Sequence, residues 1–292
     1  MTDAVWTIQR LLAWTTDFFR ERGIESPRLD AEVLLSALLG RDRMYLYVHF
    51  DEPLEPEELA RFRGYVKERA AHVPLAYVLG RREFMGLDFR VTRDTLIPRP
   101  DTEILVQCAV DFLRARMEAG ATACTIADIG TGTGAIALST LHYTEGTRAD
   151  AVDISPAAAA VARENAEMLG LTERVAVHVG DLVAPLTGRR YDMILSNPPY
   201  IPTADIAGLM PEVRRCEPHL ALDGGADGLN IYRRLMADAP ALLNEGGAVA
   251  VEVGIDEAAA VAALAMAHSR IVRTETLKDL GGIERVVVGY TE

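Results

Sequence analysis

The sequence predicts an α/β protein with a doubly wound parallel sheet, a C-terminal antiparallel hairpin and a small N-terminal helical domain. Three observations support this fold class. Short apolar stretches alternate with helical patterns after residue 123, and two strand-like stretches flank Gly281-Gly282 near the end of the chain. Before residue 76 the apolar residues recur only at helical spacing.

The N-terminal part, residues 1–75, is predicted to be a small helical domain. Leu11 and Phe19 mark the apolar face of a first helix. A second helix is expected between Pro27 and Gly40, because proline favours the first position of a helix and glycine its end. A third helix is expected to begin near Pro56.

Residues 76–97 are predicted to form a linking β-hairpin with a turn at Gly86. Pro98 and Pro100 then prevent regular structure, so residues 97–103 are expected to form a stiff loop before a helix. The second domain, residues 98–292, is predicted to carry strands at 125–129, 149–154, 175–179, 192–196, 248–253, 272–276 and 285–289.

Composition limits the possible partners and cofactors. The 292 residues carry a net charge of -13, so no direct nucleic-acid partner is expected. No stretch of the sequence reaches the ~18 uncharged apolar residues that a membrane span requires, so no membrane partner is expected. The three widely separated cysteines indicate a reducing, cytoplasmic location, and the six histidines show no metal-ligand spacing, so no metal is expected.

A glycine loop follows the first predicted strand of the second domain and opens a helix. Such a loop brings backbone N–H groups against a ligand. Because Gly130, Gly132 and Ala135 also satisfy the dinucleotide pattern, an NAD-binding interpretation stays open at this point. The candidate cofactor-binding residues here are Gly130, Thr131, Gly132, Thr133 and Gly134.

Two acidic residues follow the next two strands. Asp153 is placed where a carboxylate can accept both hydroxyls of a ribose, although it could instead cap the helix that starts near Pro156. Asp181 could accept from an adenine amino group while Leu182 packs on the ring, or it could be an ordinary turn residue. Both aspartates and Leu182 are therefore candidate cofactor-binding residues.

The fourth strand ends in Asn197-Pro198-Pro199-Tyr200. The prolines make the backbone rigid, so Asn197 Oδ1 and the Pro198 carbonyl can both accept from one planar NH₂ group. Asn197 and Tyr200 are the candidate catalytic residues, and Tyr200 is expected to wall the acceptor plane. All four residues are candidate substrate contacts, and Asn197 also borders the cofactor. The pattern predicts transfer of a methyl group from S-adenosylmethionine to a planar nitrogen.

The chain resembles the peptide chain release factor glutamine methyltransferases, the HemK/PrmC group. The resemblance rests on residues 28–35, 74–80, 97–103, 128–134 and 197–200. It implies a Rossmann-like class I methyltransferase that converts S-adenosyl-L-methionine to S-adenosyl-L-homocysteine. The implied acceptor is N5 of the glutamine in the Gly-Gly-Gln motif of bacterial-type class 1 release factors. The resemblance also implies that the helical domain, residues 1–75, docks this large substrate. A monomer is expected.

One alternative shares the Asn-Pro-Pro-Tyr motif. A DNA or rRNA amino-methyltransferase would present adenine N6 or cytosine N4 to Asn197, usually after flipping the base. Such an enzyme needs several phosphate contacts. Only residues 76–100, with five arginines against three acidic residues, form a small basic region. The charge therefore favours a glutamine side chain as the acceptor.

Overall fold

The structure, a computed structural model, describes residues 5–292 and divides into two compact units. One unit contains the described residues up to Gly80 together with Met210–Cys216, and the other contains Arg81–Leu209 and Glu217–Glu292. The first four residues of the predicted helical domain lie outside the described range. The functional division into residues 1–75, 76–97 and 98–292 stays a prediction.

The regular elements alternate between helix and strand over most of the second unit. The helices are α1 (Ile8–Glu21), α2 (Pro27–Leu39), α3 (Arg43–Val48), α4 (Pro56–Ala70), α5 (Leu75–Leu79), α6 (Glu103–Glu118), α7 (Ala135–Tyr143), α8 (Pro156–Met168), α9 (Pro211–Cys216), α10 (Asn230–Asp238) and α11 (Ala258–Met266). The strands are β1 (Arg81–Phe84), β2 (Leu87–Arg90), β3 (Cys124–Ile129), β4 (Thr147–Asp153), β5 (Val175–Val179), β6 (Tyr191–Ser196), β7 (Ile201–Pro202), β8 (Asp223–Gly225), β9 (Leu243–Glu252), β10 (Arg273–Lys278) and β11 (Glu284–Tyr290).

The helical unit follows the apolar pattern of the sequence. The predicted helices correspond to α1, α2 and α4, and Gly40 ends α2 in the left-handed conformation at φ 62°. Their apolar faces meet in a core that includes Phe19, Leu34 and Phe62. The short helices α3 and α5 were not predicted, because a helix of one or two turns shows little periodicity.

A buried ion pair network holds the helical unit together. Arg69 of α4 donates to Asp30 of α2 and to Glu212 of α9, both at 2.6 Å. Its side chain is only 6% exposed. The guanidinium is therefore screened little by solvent, and the two carboxylates satisfy a charge that would be costly to bury alone.

The second unit is built on a seven-stranded sheet with the order β10-β11-β9-β6-β3-β4-β5. The pairs formed by β3, β4, β5, β6 and β9 are parallel, whereas β11 runs antiparallel to both β9 and β10. The predicted parallel sheet and C-terminal antiparallel hairpin are confirmed. The β1–β2 hairpin predicted around Gly86 is also present.

Helices cover both faces of the sheet. Along β6, Met193 and Leu195 face a core cluster shared with α6, α7 and α8, while Ile194 faces a cluster shared with α10 and α11. All three side chains are fully buried. This alternation at a strand buried on both faces is the physical basis of the doubly wound arrangement.

The strand β9 begins at Leu243, earlier than the predicted residue 248. The strand continues through Gly246-Gly247, with Gly246 at φ 64°. Its register with β6 shifts between Tyr191 and Met193. The strand β9 therefore contains a local irregularity in its pairing. The predicted strand was too short because the apolar pattern begins only after this irregularity.

Within residues 5–292, none of the helices combines the length and the apolar character that crossing a bilayer requires.

We predict that Arg69→Ala lowers the unfolding free energy of the helical unit by about 3–5 kcal/mol, because it leaves two carboxylates without their buried partner. Urea unfolding followed by tryptophan fluorescence measures this, since both tryptophans, Trp6 and Trp14, lie in that unit. Arg20→Ala is the control, because Arg20 pairs with Asp17 at the surface and should contribute less than about 1 kcal/mol. Equal effects of the two substitutions would contradict the assigned role of Arg69.

Candidate active site

The carboxyl ends of the parallel strands open into a cavity of about 450 Å³ within the second unit. The register brings these ends to one level, because Ile129 pairs with Val152 in β4 and with Ser196 in β6. Ligands of open α/β sheets bind at this edge. Most of the residues singled out in the sequence line the cavity: Gly130, Thr131, Gly132, Thr133, Asp153, Asp181, Leu182, Asn197, Pro198 and Pro199.

The glycine loop turns sharply at the end of β3. The backbone N–H groups of Gly130 and Thr131 both donate to the Val152 carbonyl, at 2.8 and 2.9 Å. Gly130 and Gly132 have φ values of 75° and 56°, which favour glycine. A Cβ at either position would meet no protein atom within 4 Å, so open space lies beside the loop for a ligand.

Gly134 has a different role from the other loop glycines. It is not among the cavity-lining residues, and it precedes α7 with φ 82°. A Cβ at this position would lie 2.9 Å from Leu138 Cδ1. Gly134 therefore leaves room for the Leu138 side chain one turn further along α7, and its cofactor contact stays a prediction.

Asp128, which is fully buried at the end of β3, stabilises the glycine loop through hydrogen bonds. Its carboxyl Oδ2 accepts from the Thr131 hydroxyl at 2.6 Å and from the Ala137 N–H at 3.2 Å. Complete burial raises the pKa of Asp128 to about 7, although both hydrogen bonds favour the carboxylate. The side chain thus ties the loop to the first turn of α7.

Asp153, at the end of β4, also accepts hydrogen bonds from the backbone around the cavity. Its Oδ2 accepts from the Gly132 N–H at 2.8 Å, and its Oδ1 accepts from the Ser155 N–H at 2.9 Å. Each oxygen keeps capacity for a further hydrogen bond, as ribose hydroxyls would require. The alternative role of Asp153 as a helix cap is wrong, because Ser155 caps α8 by accepting from the Ala158 N–H.

Asp181 and Leu182 follow β5 and line the same cavity as Asn197 and Pro198. Asp181 forms an ion pair with Arg234 of α10, and about half of each side chain is exposed. Leu182 adopts φ 47°, an uncommon conformation for a branched residue. The carboxylate of Asp181 is therefore shared between a surface cation and the cavity.

Asn197 is held at the end of β6 by its neighbours. The Ser196 hydroxyl donates to the Ile129 carbonyl at 2.7 Å, which joins β6 to β3 just before the motif. Asn197 Nδ2 donates to Thr102 Oγ1 at 3.2 Å. With its NH₂ group engaged in this way, Asn197 has its Oδ1 free to accept from a guest.

Tyr200 does not line the cavity. Its ring packs against the core cluster shared with α10 and α11, where a Cβ on Gly254 would approach Tyr200 Cδ2 to 3.1 Å. Burial raises the pKa of the phenol to about 12, so the side chain is neutral near pH 7. Its predicted contact with the acceptor stays a prediction.

Several residues that shape the site were not singled out in the sequence. Asn165 of α8 is fully buried; its amide donates to the carbonyls of Thr133 and Arg90 and accepts from the Arg90 N–H. It thereby joins the β1–β2 hairpin to the glycine loop. Glu252 is an acidic residue inside an apolar strand pattern, which is a signal that could identify it from the sequence. The additional cavity-lining stretches are residues 93–96 and 218–221.

Two family models match the chain. The PrmC N-terminal domain matches residues 10–80, and the methyltransferase small domain matches residues 105–210. Among solved structures, the human METTL16 catalytic domain in complex with MAT2A 3'UTR hairpin 6 has a TM-score of 0.56 at 16% identity, covering 80% of this chain and 82% of that one. The N-terminal domain of human METTL16 in complex with SAH has a TM-score of 0.53 at 18% identity, covering 76% and 82%. These two likenesses show the fold.

Curated relatives cover almost the whole chain. The release factor glutamine methyltransferase of Geobacter sulfurreducens is 48% identical over 98% of this chain and 97% of its own length. That of Moorella thermoacetica is 47% identical over 92% of this chain and 93% of its own. With this identity over both units, the chain belongs to the release factor glutamine methyltransferase family.

Proposed function

We propose that this protein transfers a methyl group from S-adenosylmethionine to the side-chain amide nitrogen, N5, of the glutamine in the Gly-Gly-Gln motif of class 1 release factors. The relatives named release factor glutamine methyltransferase support this substrate. The observation that carries the proposal is the position of Asn197 and Pro198, which line the same cavity as Asp153 and the glycine loop. The NAD-binding interpretation of that loop is not favoured.

The cavity has the donors and acceptors that an adenosine-type methyl donor needs. The open space beside Gly130 and Gly132 would admit its amino acid portion against the backbone. Asp153 would accept from the ribose hydroxyls, and Asp181 with Leu182 would contact the adenine. Thr131 and Thr133 would contribute backbone contacts between these positions. The residues present therefore fit S-adenosylmethionine.

The reaction needs orientation more than a strong base. When bound, S-adenosylmethionine would supply an electrophilic methyl group for the glutamine nitrogen, with S-adenosylhomocysteine as the leaving group. Asn197 Oδ1 and the Pro198 carbonyl would accept the two N–H hydrogens and aim the nitrogen at about 3–3.5 Å from the methyl carbon. Both acceptors stabilise the positive charge that develops on nitrogen. One N–H proton leaves to water after the transfer.

The remaining motif residues would shape the space around the acceptor. Pro199 lines the cavity and would pack against the glutamine side chain. Tyr200 would act as a neutral wall, in agreement with its raised pKa. The loop of residues 97–103 would form a further wall, since Pro98 and Arg99 line the cavity and Arg99 is paired with the buried Glu217.

The helical unit would dock the release factor. Its short helix α3 and the following turn expose large apolar side chains: Met44 is 67% exposed and Val48 is 65% exposed. Met44 and Val48 are one turn apart on α3, and neighbouring exposed apolar side chains can form a patch that binds another protein. The proposal includes a monomeric enzyme in the cytoplasm without direct contacts to nucleic acid, supported by the net charge of -13 and by cysteines that are all free.

A methyl-labelling experiment tests the substrate. Incubation with methyl-labelled S-adenosylmethionine and an intact release factor should label only the glutamine of Gly-Gly-Gln, as mass spectrometry of the digested product would show. Changing that glutamine to alanine is the control and should abolish the label. Equal labelling of the alanine variant, or transfer to duplex DNA or rRNA instead, would contradict the assignment. A free Gly-Gly-Gln peptide should react more slowly if the helical unit contributes to docking.

The role of Asp153 in cofactor binding can be tested by calorimetry. Asp153→Ala should weaken S-adenosylhomocysteine binding about 10–100-fold, because hydrogen bonds to a carboxylate contribute about 1.5–3 kcal/mol. Glu167→Ala, an exposed position on the adjacent α8, is the matched control and should leave the affinity unchanged. An Asp153→Ala variant that binds as tightly as the original protein would remove Asp153 from the cofactor site.

Asn197 should affect turnover rather than cofactor binding. We predict that Asn197→Ala lowers kcat by a factor equivalent to about 2–4 kcal/mol, the contribution of one preorganised polar group. Single-turnover kinetics with a release factor would measure the loss, and calorimetry would show whether cofactor affinity is retained. Unchanged turnover in this variant would remove Asn197 from its proposed role.

A further inference from the structure

Glu252 is a buried acidic residue beside the candidate methyl-acceptor site. It ends β9 and is 3% exposed, and its Oε2 has no hydrogen-bond partner among the described residues. Because Ser196 of β6 pairs with Val251 of β9, the next residues along the two parallel strands, Asn197 and Glu252, lie at the same level of the sheet. A buried carboxyl group of this kind needs an explanation in the chemistry of the site.

Thr102 connects the carboxyl group to Asn197. Its hydroxyl oxygen accepts from Asn197 Nδ2 at 3.2 Å, and its side chain is buried. The hydroxyl still has its own proton to donate. The side chains of Thr102 and Asn197 both stabilise the ionised form of Glu252. Donation can therefore run in one direction, from the Asn197 amide to Thr102 and from Thr102 to the carboxylate.

We propose that Glu252 is a positioning residue that, through Thr102, keeps the Asn197 NH₂ group turned inward and the Asn197 Oδ1 turned toward the substrate. This inference rests on the proposed function, because it assigns an orientation to the amide that would hold the glutamine. A carboxylate can only accept hydrogen bonds. It therefore distinguishes the two ends of the Asn197 amide, which have nearly the same shape.

The reverse orientation would be unproductive. It would place Asn197 Oδ1 against the acceptors and turn the NH₂ group toward the substrate, where two donors would face each other. The glutamine nitrogen would lose one of the acceptors that stabilise its developing positive charge. Fixing the amide in advance also avoids reorganisation during the reaction. The role of Glu252 is thus to preorganise a group that touches the substrate.

The surroundings of Glu252 make this orientation depend on pH. Burial raises the pKa of Glu252 to about 7, and the charge of Asp101 acts in the same direction, while Arg285 opposes it. Tyr200 and Tyr232 also face this carboxyl group, and both phenols have raised pKa values. Below the pKa, protonated Glu252 can donate to Thr102, and the direction of the hydrogen bonds is no longer unique. Turnover should therefore rise with pH through about 7.

Three substitutions separate this role from a purely structural one. Glu252→Met removes the acceptor and should lower kcat about tenfold or more, with little change in S-adenosylhomocysteine affinity. Glu252→Gln keeps an acceptor but cannot ionise, so it should abolish the rise of kcat near pH 7. Thr102→Val should resemble Glu252→Met, and Thr102→Ser should restore most of kcat. Glu245→Gln, at an exposed position of the same strand, is the control.

The orientation can also be observed directly without turnover. The ¹⁵N side-chain amide resonance of Asn197, identified by its loss in Asn197→Ala, should shift between about pH 6 and about pH 8 in the unsubstituted protein. It should not shift in Glu252→Gln. A resonance that stays constant in the unsubstituted protein, or a Glu252→Met variant with full kcat, would overturn the proposal. A failed substrate assignment would look different, because the unsubstituted enzyme would then leave the glutamine unlabelled.

Discussion

The register of the parallel strands is the constraint on which the candidate site depends. Ser196 pairs with Ile129 on one side and with Val251 on the other, so three strands reach the sheet edge at the same level. A slip of one residue would turn each side chain to the opposite face. Such a slip would bury side chains that now line the cavity or lie next to the residues that line it. The residues that follow the aligned positions are the ones that build the site: Gly130, Asp153, Asn197 and Glu252.

The cavity is supported by polar groups that do not line it. Asp128 and Asn165 are buried, and each bonds to the backbone or side chains of the glycine loop. Burying such groups is unfavourable unless their hydrogen bonds are made. The hydrogen bonds that Asp128 and Asn165 make offset part of this desolvation cost. They also set the shape of the glycine loop before a ligand arrives. The same principle applies to the acceptor side, where Thr102 holds Asn197 by a single hydrogen bond.

The sequence predicts those parts of the fold and site that depend on local patterns. Apolar periodicity located the strands and the long helices, and motif residues such as Asp153 could be assigned to strand ends. Asn165 could not be assigned in this way, because its partners are distant in sequence. Glu252 is visible in the sequence as an acidic residue in an apolar strand, but its neighbours at the sheet edge are also distant in sequence. Tyr200 illustrates the converse. Its motif predicts a contact with the acceptor, whereas the structure shows a partly buried ring that packs against the core cluster shared with α10 and α11.

The helical unit is discontinuous in the chain, because Met210–Cys216 belongs to it while both flanking stretches belong to the other unit. Residue Glu212 in this segment is a partner of Arg69, far earlier in the sequence. Exchange of the first 80 residues between two relatives by one recombination event would therefore separate matched charges. The first 80 residues and the internal segment Met210–Cys216 are therefore constrained to diversify together, and hybrid proteins would need to exchange both.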